Sequence, residues 1–221
     1  LDDLSKINKV KSTFKKYVSK NIVDKLLENE DSLNLGGTES EITILFSDIR
    51  GFTSMSEKLS PTEIVKLLNK YFKSMIDVVF KYNGTLDKIV GDELMVLYGV
   101  PLKADDDTHN AVKTAIKMFI ALDKFNQKIV KEGYKPFKIG IGINKGKAVS
   151  GNIGSEQQMN YTVIGDTINL GARLCSHAKS GEILISKSVK DAIGDKYNFK
   201  SIPSIEVKGK ENAIDVWLYK H

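Results

Sequence analysis

The run Ile139-Gly140-Ile141-Gly142-Ile143 alternates isoleucine with glycine. Successive side chains of a strand point to opposite faces, so a period of two is a strand signal. With apolar residues on one face and bare backbone on the other, such a strand suits a sheet whose bare face is approached closely by something else. A second alternation, Ile42, Ile44 and Phe46 interleaved with Thr43 and Leu45, marks another strand, which runs into Ser47-Asp48-Ile49-Arg50-Gly51-Phe52.

Between these strands the elements are well punctuated. Ser60-Pro61-Thr62-Glu63 opens a helix, with serine as cap, proline in the first turn and Glu63 completing a capping box. Its apolar face, from Ile64 through Leu67, Tyr71 and Met75 to Val79, persists until Asn83-Gly84. Two short strands, Leu86 to Val90 and Leu94 to Tyr98, are hinged at Gly91-Asp92. A second helix is expected from about Asp107 to Val130. Ala148 to Gly151 reads as a hairpin partner of the glycine strand, and Tyr161 to Ile164 as a further strand. A helix over Asp166 to Ala178 and strands at residues 183–185, 205–207 and 216–219 follow. The order predicts an α+β fold, a ferredoxin-like βαββαβ core sandwich with helices on one side of the sheet and extra C-terminal strands.

Before that core, Leu4, Ile7, Val10, Phe14, Tyr17 and Val18 recur at the narrow spacing of a coiled-coil seam. Residues 1–35 are therefore expected to be a helical, dimerising connector, with a linker at Asn34 to Thr38, and residues 36–221 a single folded domain. A solvated tail helix is the blander alternative. The start, Leu1-Asp2-Asp3-Leu4, is neither a signal peptide nor an initiator methionine, so a piece of a longer protein is expected.

Composition excludes several classes of function. The formal charge is +5, but the lysines are spread along the chain, and no nucleic-acid partner is expected. Cys175 is the only cysteine, which rules out a disulfide framework and fits a reducing, cytoplasmic setting. Histidines only at 109, 177 and 221 argue against a His/Cys zinc site. No apolar run reaches the roughly 18–20 residues that span a bilayer.

Two aspartates stand in unusual places: Asp48 at the end of an apolar strand, and Asp92 at the tip of a tight hairpin. In a βαββ unit these points lie side by side. Carboxylates meeting at strand ends suit hard cations such as Mg²⁺, bound together with substrate phosphates. Gly51-Phe52-Thr53 lies in the turn before the capped helix, where backbone N–H groups can cradle phosphate oxygens. Taken singly, Asp48 reads as a cap and Asp92 as a hairpin residue favoured beside glycine. Together they point to a metal–nucleotide site.

Four segments carry a family resemblance. Phe46-Ser47-Asp48-Ile49-Arg50-Gly51-Phe52-Thr53 resembles the first metal motif of class III adenylate and guanylate cyclases, and Asp87-Lys88-Ile89-Val90-Gly91-Asp92 their second. The run from Tyr161 through Gly165-Asp166-Thr167-Ile168-Asn169 to Arg173 and Leu174 resembles their third, and Val207-Lys208-Gly209-Lys210 a later one. The resemblance implies that Asp48 and Asp92, helped by the Ile49 carbonyl, bind two divalent cations, Mg²⁺ or Mn²⁺. It implies that Lys88 bonds the purine and Thr162 its exocyclic amino group. Asn169 would orient the ribose, Arg173 would stabilise charge on the α-phosphate, and Lys208 would hold the terminal phosphates. Asn169 and Arg173, four apart on one helix, share a face.

The activity implied is conversion of ATP to cyclic AMP, by in-line attack of the ribose 3′-oxygen on the α-phosphorus with loss of pyrophosphate. Lysine is a donor only and suits adenine N1, while threonine can accept from N6. Guanylate-selective members carry an acidic residue at the lysine position, which Lys88 is not, so ATP is favoured and guanylate cyclase is the alternative. Thr162 resembles a threonine-containing subgroup, some of whose members respond to bicarbonate. Because the family divides each site between subunits, the resemblance implies a homodimer with two shared sites. An upstream sensor or membrane domain is expected in the full-length protein.

Overall fold

The computed structural model describes residues 22–23, 35–206 and 213–221. Lys208 and the expected N-terminal connector, apart from Ile22, Val23 and Leu35, lie outside the described residues. The order begins β1 (Gly36–Ile49), α1 (Phe52–Ser56), α2 (Pro61–Lys81), β2 (Thr85–Val90), β3 (Glu93–Tyr98) and α3 (Asp107–Lys131). It continues β4 (Ile139–Ser155), β5 (Gln158–Ile164), α4 (Asp166–His177), β6 (Glu182–Ser186), α5 (Lys187–Ile193), β7 (Lys200–Ile205) and β8 (Ile214–Lys220).

The strands form one sheet in the order β2-β3-β1-β4-β6-β8-β7, with β5 paired to β4. Within it β2-β3-β1-β4 is antiparallel throughout, the expected ferredoxin-like core of an α+β fold, and β6, β8 and β7 extend one edge. Helix α2 starts where the sequence places it: Ser60 Oγ accepts from Glu63 N, and Glu63 Oε2 accepts from Ser60 N at 3.0 Å. Its stripe of Leu67, Tyr71, Phe72, Met75 and Val79 is buried, and each large apolar side chain so placed stabilises the fold by roughly 1.5–3 kcal/mol. The helix ends before Asn83, which takes a left-handed φ of 59°.

Helices on one side of the sheet, as expected from element order, is only partly correct. Odd-numbered residues of β1 face α2 and α3, with Leu45 and Ile49 in that core and Thr43 Oγ1 hydrogen-bonded to Thr108 Oγ1 at 2.9 Å. Even-numbered Ile42, Ile44 and Phe46 pack instead with Cys175 of α4 on the opposite face. The glycines of β4 make this second layer possible. A Cβ on Gly142 would lie 2.1 Å from Cys175 N, and one on Gly140 would lie 2.5 Å from Arg50 Nε. Element order does not reveal which face a helix covers; the bare face of β4 does.

Other boundaries differ for one shared reason. Ala148 to Gly151 is not a hairpin partner but the continuation of β4, whose hairpin partner is β5. The expected linker at Asn34 to Thr38 likewise gives way to strand from Gly36 onward. The two extensions pair with each other, Gly37 opposite Gly151 and Glu39 opposite Val149. Flanking ion pairs, Lys145 to Glu41 at 2.8 Å and Lys147 to Glu39 at 2.9 Å, tie the same strands. Each stretch looks irregular alone and becomes regular through its partner. Of the strand expected over 205–207, Ile205 is the last residue of β7, Glu206 is not strand and Val207 lies outside the described residues; the short helices α1 and α5 were not expected. No helix among the described residues is long and apolar enough to cross a membrane.

Candidate active site

The antiparallel register of β1 and β3 sets Ser47 opposite Leu94, so the turn just before β3 reaches the end of β1. Asp48 and Asp92 therefore meet, as the sequence predicts. Ile49 N donates to Asp92 Oδ2 at 3.1 Å. Gly91 makes the tight turn possible with a φ of 61°. Burial first, and then the neighbouring Asp48, push the Asp92 carboxyl up to about 6. Burial and Asp48 also raise Glu93. Crowded carboxylates of this kind present negative charge that the single guanidinium of Arg50 only partly offsets, and a divalent cation would relieve the rest. Among the described residues no group of three or more His, Cys, Asp or Glu side chains is placed to hold a metal. A cation held by Asp48 and Asp92 would thus draw further oxygens from backbone carbonyls, such as that of Ile49, and from a phosphate ligand. The pair fits hard cations on that basis.

Arg50, quoted in the first motif without a role, is structurally central. Its Nη1 donates to Asp48 Oδ2 at 3.1 Å and its Nη2 to the Cys175 carbonyl at 2.6 Å. One side chain thus ties the Asp48 end of β1 to the C-terminal turn of α4. The sequence held a signal for this: Arg50 shares a strand face with Asp48, and Gly140 supplies the space it fills.

The turn after β1 carries Gly51 in the left-handed region, φ 73°, as N-cap of α1. Its first intrahelical bond runs from Met55 N to Gly51 O at 3.1 Å, so the N–H groups of Phe52, Thr53 and Ser54 come before it. Gly51 and Thr53 are exposed and Phe52 is half-buried.

A second cluster forms around Lys88 and Thr162, 74 positions apart. Lys88 Nζ donates to Thr162 Oγ1 at 3.3 Å, and Thr162 Oγ1 donates to Asp87 Oδ2 at 3.2 Å. Lys88 Nζ also lies 3.2 Å from Asp87 Oδ2. Asp87 lay in the second motif without a role, and no local pattern marks it as Thr162's partner. Asn169 and Arg173 stand one turn apart on α4, the first exposed and the second half-buried. Among the described residues neither side chain bonds to either aspartate or to Lys88 or Thr162. One chain therefore does not bring all the expected groups together by direct contact. A cavity of about 610 Å³ opens elsewhere, lined by Gly37, Pro101, Ser150 and Asn152. It holds none of the expected site residues and does not mark the site.

Comparison with known proteins gives the class. The profile of the adenylate and guanylate cyclase catalytic domain matches residues 37–220. An adenylate cyclase of Anabaena cylindrica is 34% identical over 98% of this chain and 44% of its own length. A solved guanylyl cyclase is 42% identical with a TM-score of 0.80, covering 83% of this chain and 93% of that one. The adenylyl cyclase CyaB of P. aeruginosa is 38% identical with a TM-score of 0.80, over 83% and 95%. The chain thus spans less than half of the curated Anabaena relative. It belongs to the adenylate and guanylate cyclase catalytic domain family.

Proposed function

We propose that this domain is an adenylate cyclase, converting ATP to 3′,5′-cyclic AMP and pyrophosphate. The observation that carries the choice of purine is the Lys88–Thr162 pair, a donor beside a hydroxyl at 3.3 Å. That pairing matches adenine, which offers an acceptor at N1 and a donor at N6. Similarity does not decide the matter, since an adenylyl and a guanylyl cyclase resemble the chain about equally.

Asp48 and Asp92, with the Ile49 carbonyl, would hold Mg²⁺ or Mn²⁺. Two such ions, when bound, would lower the pKa of the ribose 3′-hydroxyl and neutralise the leaving pyrophosphate. The backbone of Gly51, Phe52 and Thr53 receives phosphate oxygens. Asn169 orients the ribose so that the 3′-oxygen lies in line with the α-phosphorus. Arg173 stabilises the charge that builds on the equatorial oxygens, and Lys208 receives the terminal phosphates.

A homodimer supplies both halves of each site. Exposed Ile89, Val90 and Ile164 flank the Lys88–Thr162 contact, an apolar rim suited to burial against a second copy. The connector at residues 1–35 would set subunit geometry for an upstream sensor or membrane domain, with catalysis in the cytoplasm. Deleting residues 1–30 should weaken dimerisation and turnover; if it changes neither, the connector reading fails.

The direct test incubates the chain with ATP or GTP and Mn²⁺ or Mg²⁺, beside Asp48→Ala, and separates cyclic products by chromatography. Cyclic AMP from ATP, with turnover per chain rising with protein concentration and lost in the variant, is the expected result. Cyclic GMP as the main product would overturn the purine assignment.

A further inference from the structure

Asp87 has no part in the proposed chemistry, yet its carboxyl is costly to bury. Its side chain is 0% exposed, whereas that of adjacent Lys88 is 46% exposed. Oδ1 is buried and has no hydrogen-bond partner among the described residues. Burial raises its proton affinity, against the lowering effects of Lys88 and Thr162. A buried carboxylate with one oxygen unsatisfied destabilises a fold, and a valine would occupy a strand position without that cost.

The backbone is also specially arranged here. Adjacent residues of a regular strand point to opposite faces. The β2–β3 register slips between Leu86, opposite Val96, and Lys88, opposite Met95, which leaves Asp87 as the extra residue of a bulge. Bulges re-aim side chains. This one lets Asp87 and Lys88 converge on the same Thr162 hydroxyl.

A hydroxyl has one proton and two acceptor lone pairs. Thr162 gives its proton to Asp87 Oδ2 and takes one from Lys88 Nζ. Toward a third group it can only accept. The adenine N6 amino group donates, whereas guanine O6 only accepts. We infer that Asp87 is a positioning residue for purine choice: by taking the Thr162 proton it makes Thr162 an obligate acceptor, which receives the amino group of adenine and repels the carbonyl of guanine. This rests on the adenine reading of Lys88 and Thr162.

The test compares kcat/KM for ATP and GTP in the 221-residue chain, in Asp87→Val, in Thr162→Val and in the double variant. With valine at 87 the Thr162 proton is free to turn toward the ligand. The ATP:GTP preference should fall roughly two- to tenfold, the worth of one hydrogen bond, while thermal stability holds or rises. Acting through Thr162, Asp87→Val should add little to Thr162→Val. Asp87→Ala serves the same comparison if the valine variant does not fold. Equal loss with both nucleotides, at an unchanged ratio, would overturn the inference and leave the adenine reading standing. So would full additivity with Thr162→Val. A wild-type chain that prefers GTP would instead overturn the adenine reading, and this inference with it.

Discussion

Gly142→Ala tests the packing that joins fold to site. The added Cβ would lie 2.1 Å from Cys175 N, 2.6 Å from the Gly171 carbonyl and 2.7 Å from Cys175 Cα, all backbone atoms of α4. Backbone cannot rotate away as a side chain tip can, so α4 must retreat from β4. Reaching the 3.4 Å of ordinary contact requires a displacement of about 1.3 Å. Overpacking of this kind costs about 1–3 kcal/mol, which for a chain of this size lowers Tm by roughly 2–12 °C. The same helix carries Asn169 and Arg173, and an ångström of misplacement in positioning groups lowers turnover by about 100-fold. The assay pairs thermal unfolding with turnover at saturating nucleotide, well below the variant's Tm. Unchanged Tm and turnover would refute the close packing of α4 on β4. A lower Tm with unchanged kcat would refute the dependence of Asn169 and Arg173 on that seat.

Ser60→Ala removes the capping box of α2 and should lower stability by about 1 kcal/mol, measured by urea unfolding, with turnover unchanged. Cys175 is buried, and its thiol is pushed up to about 12, so a thiol reagent at neutral pH should label the chain only as fast as it unfolds; rapid labelling of folded protein would contradict this burial. In metal-free protein Asp92 holds its proton more tightly folded, near about 6, than unfolded, near 3.8. A raised acid group of this kind favours the folded state at low pH, so its contribution is lost as pH rises between those values. Comparing urea midpoints of wild type and Asp92→Asn across that range in chelator checks it: the wild type alone should show this part of the slope.

How much was legible in the sequence differs from element to element. The capped helix from Ser60 and the hairpin at Gly91-Asp92 follow from local signals, a serine three residues before a glutamate and a glycine at a left-handed turn, while the meeting of Asp48 with Asp92 follows from the order of elements in a βαββ unit. Thr162 and Lys88 were singled out through family motifs, and the structure sets them in contact. The bare face of β4 and the alternation of Arg50 with Asp48 were visible in the sequence, but that α4 covers that face, that Cys175 receives Arg50, how far β1 and β4 extend and what Asp87 touches came only from the tertiary structure. Each depends on a partner far along the chain: Gly36 to Ser40 become strand because residues 148–152 pair with them, and Arg50 finds Cys175 125 positions away. The bulge at Asp87 is likewise a mismatch between two strands, invisible in either one. Local sequence determines where caps, turns and alternating faces fall, because those energies act within a few residues. Which face meets which, and which buried charge finds which hydroxyl, is decided by packing, because only the assembled sheet brings those groups within reach.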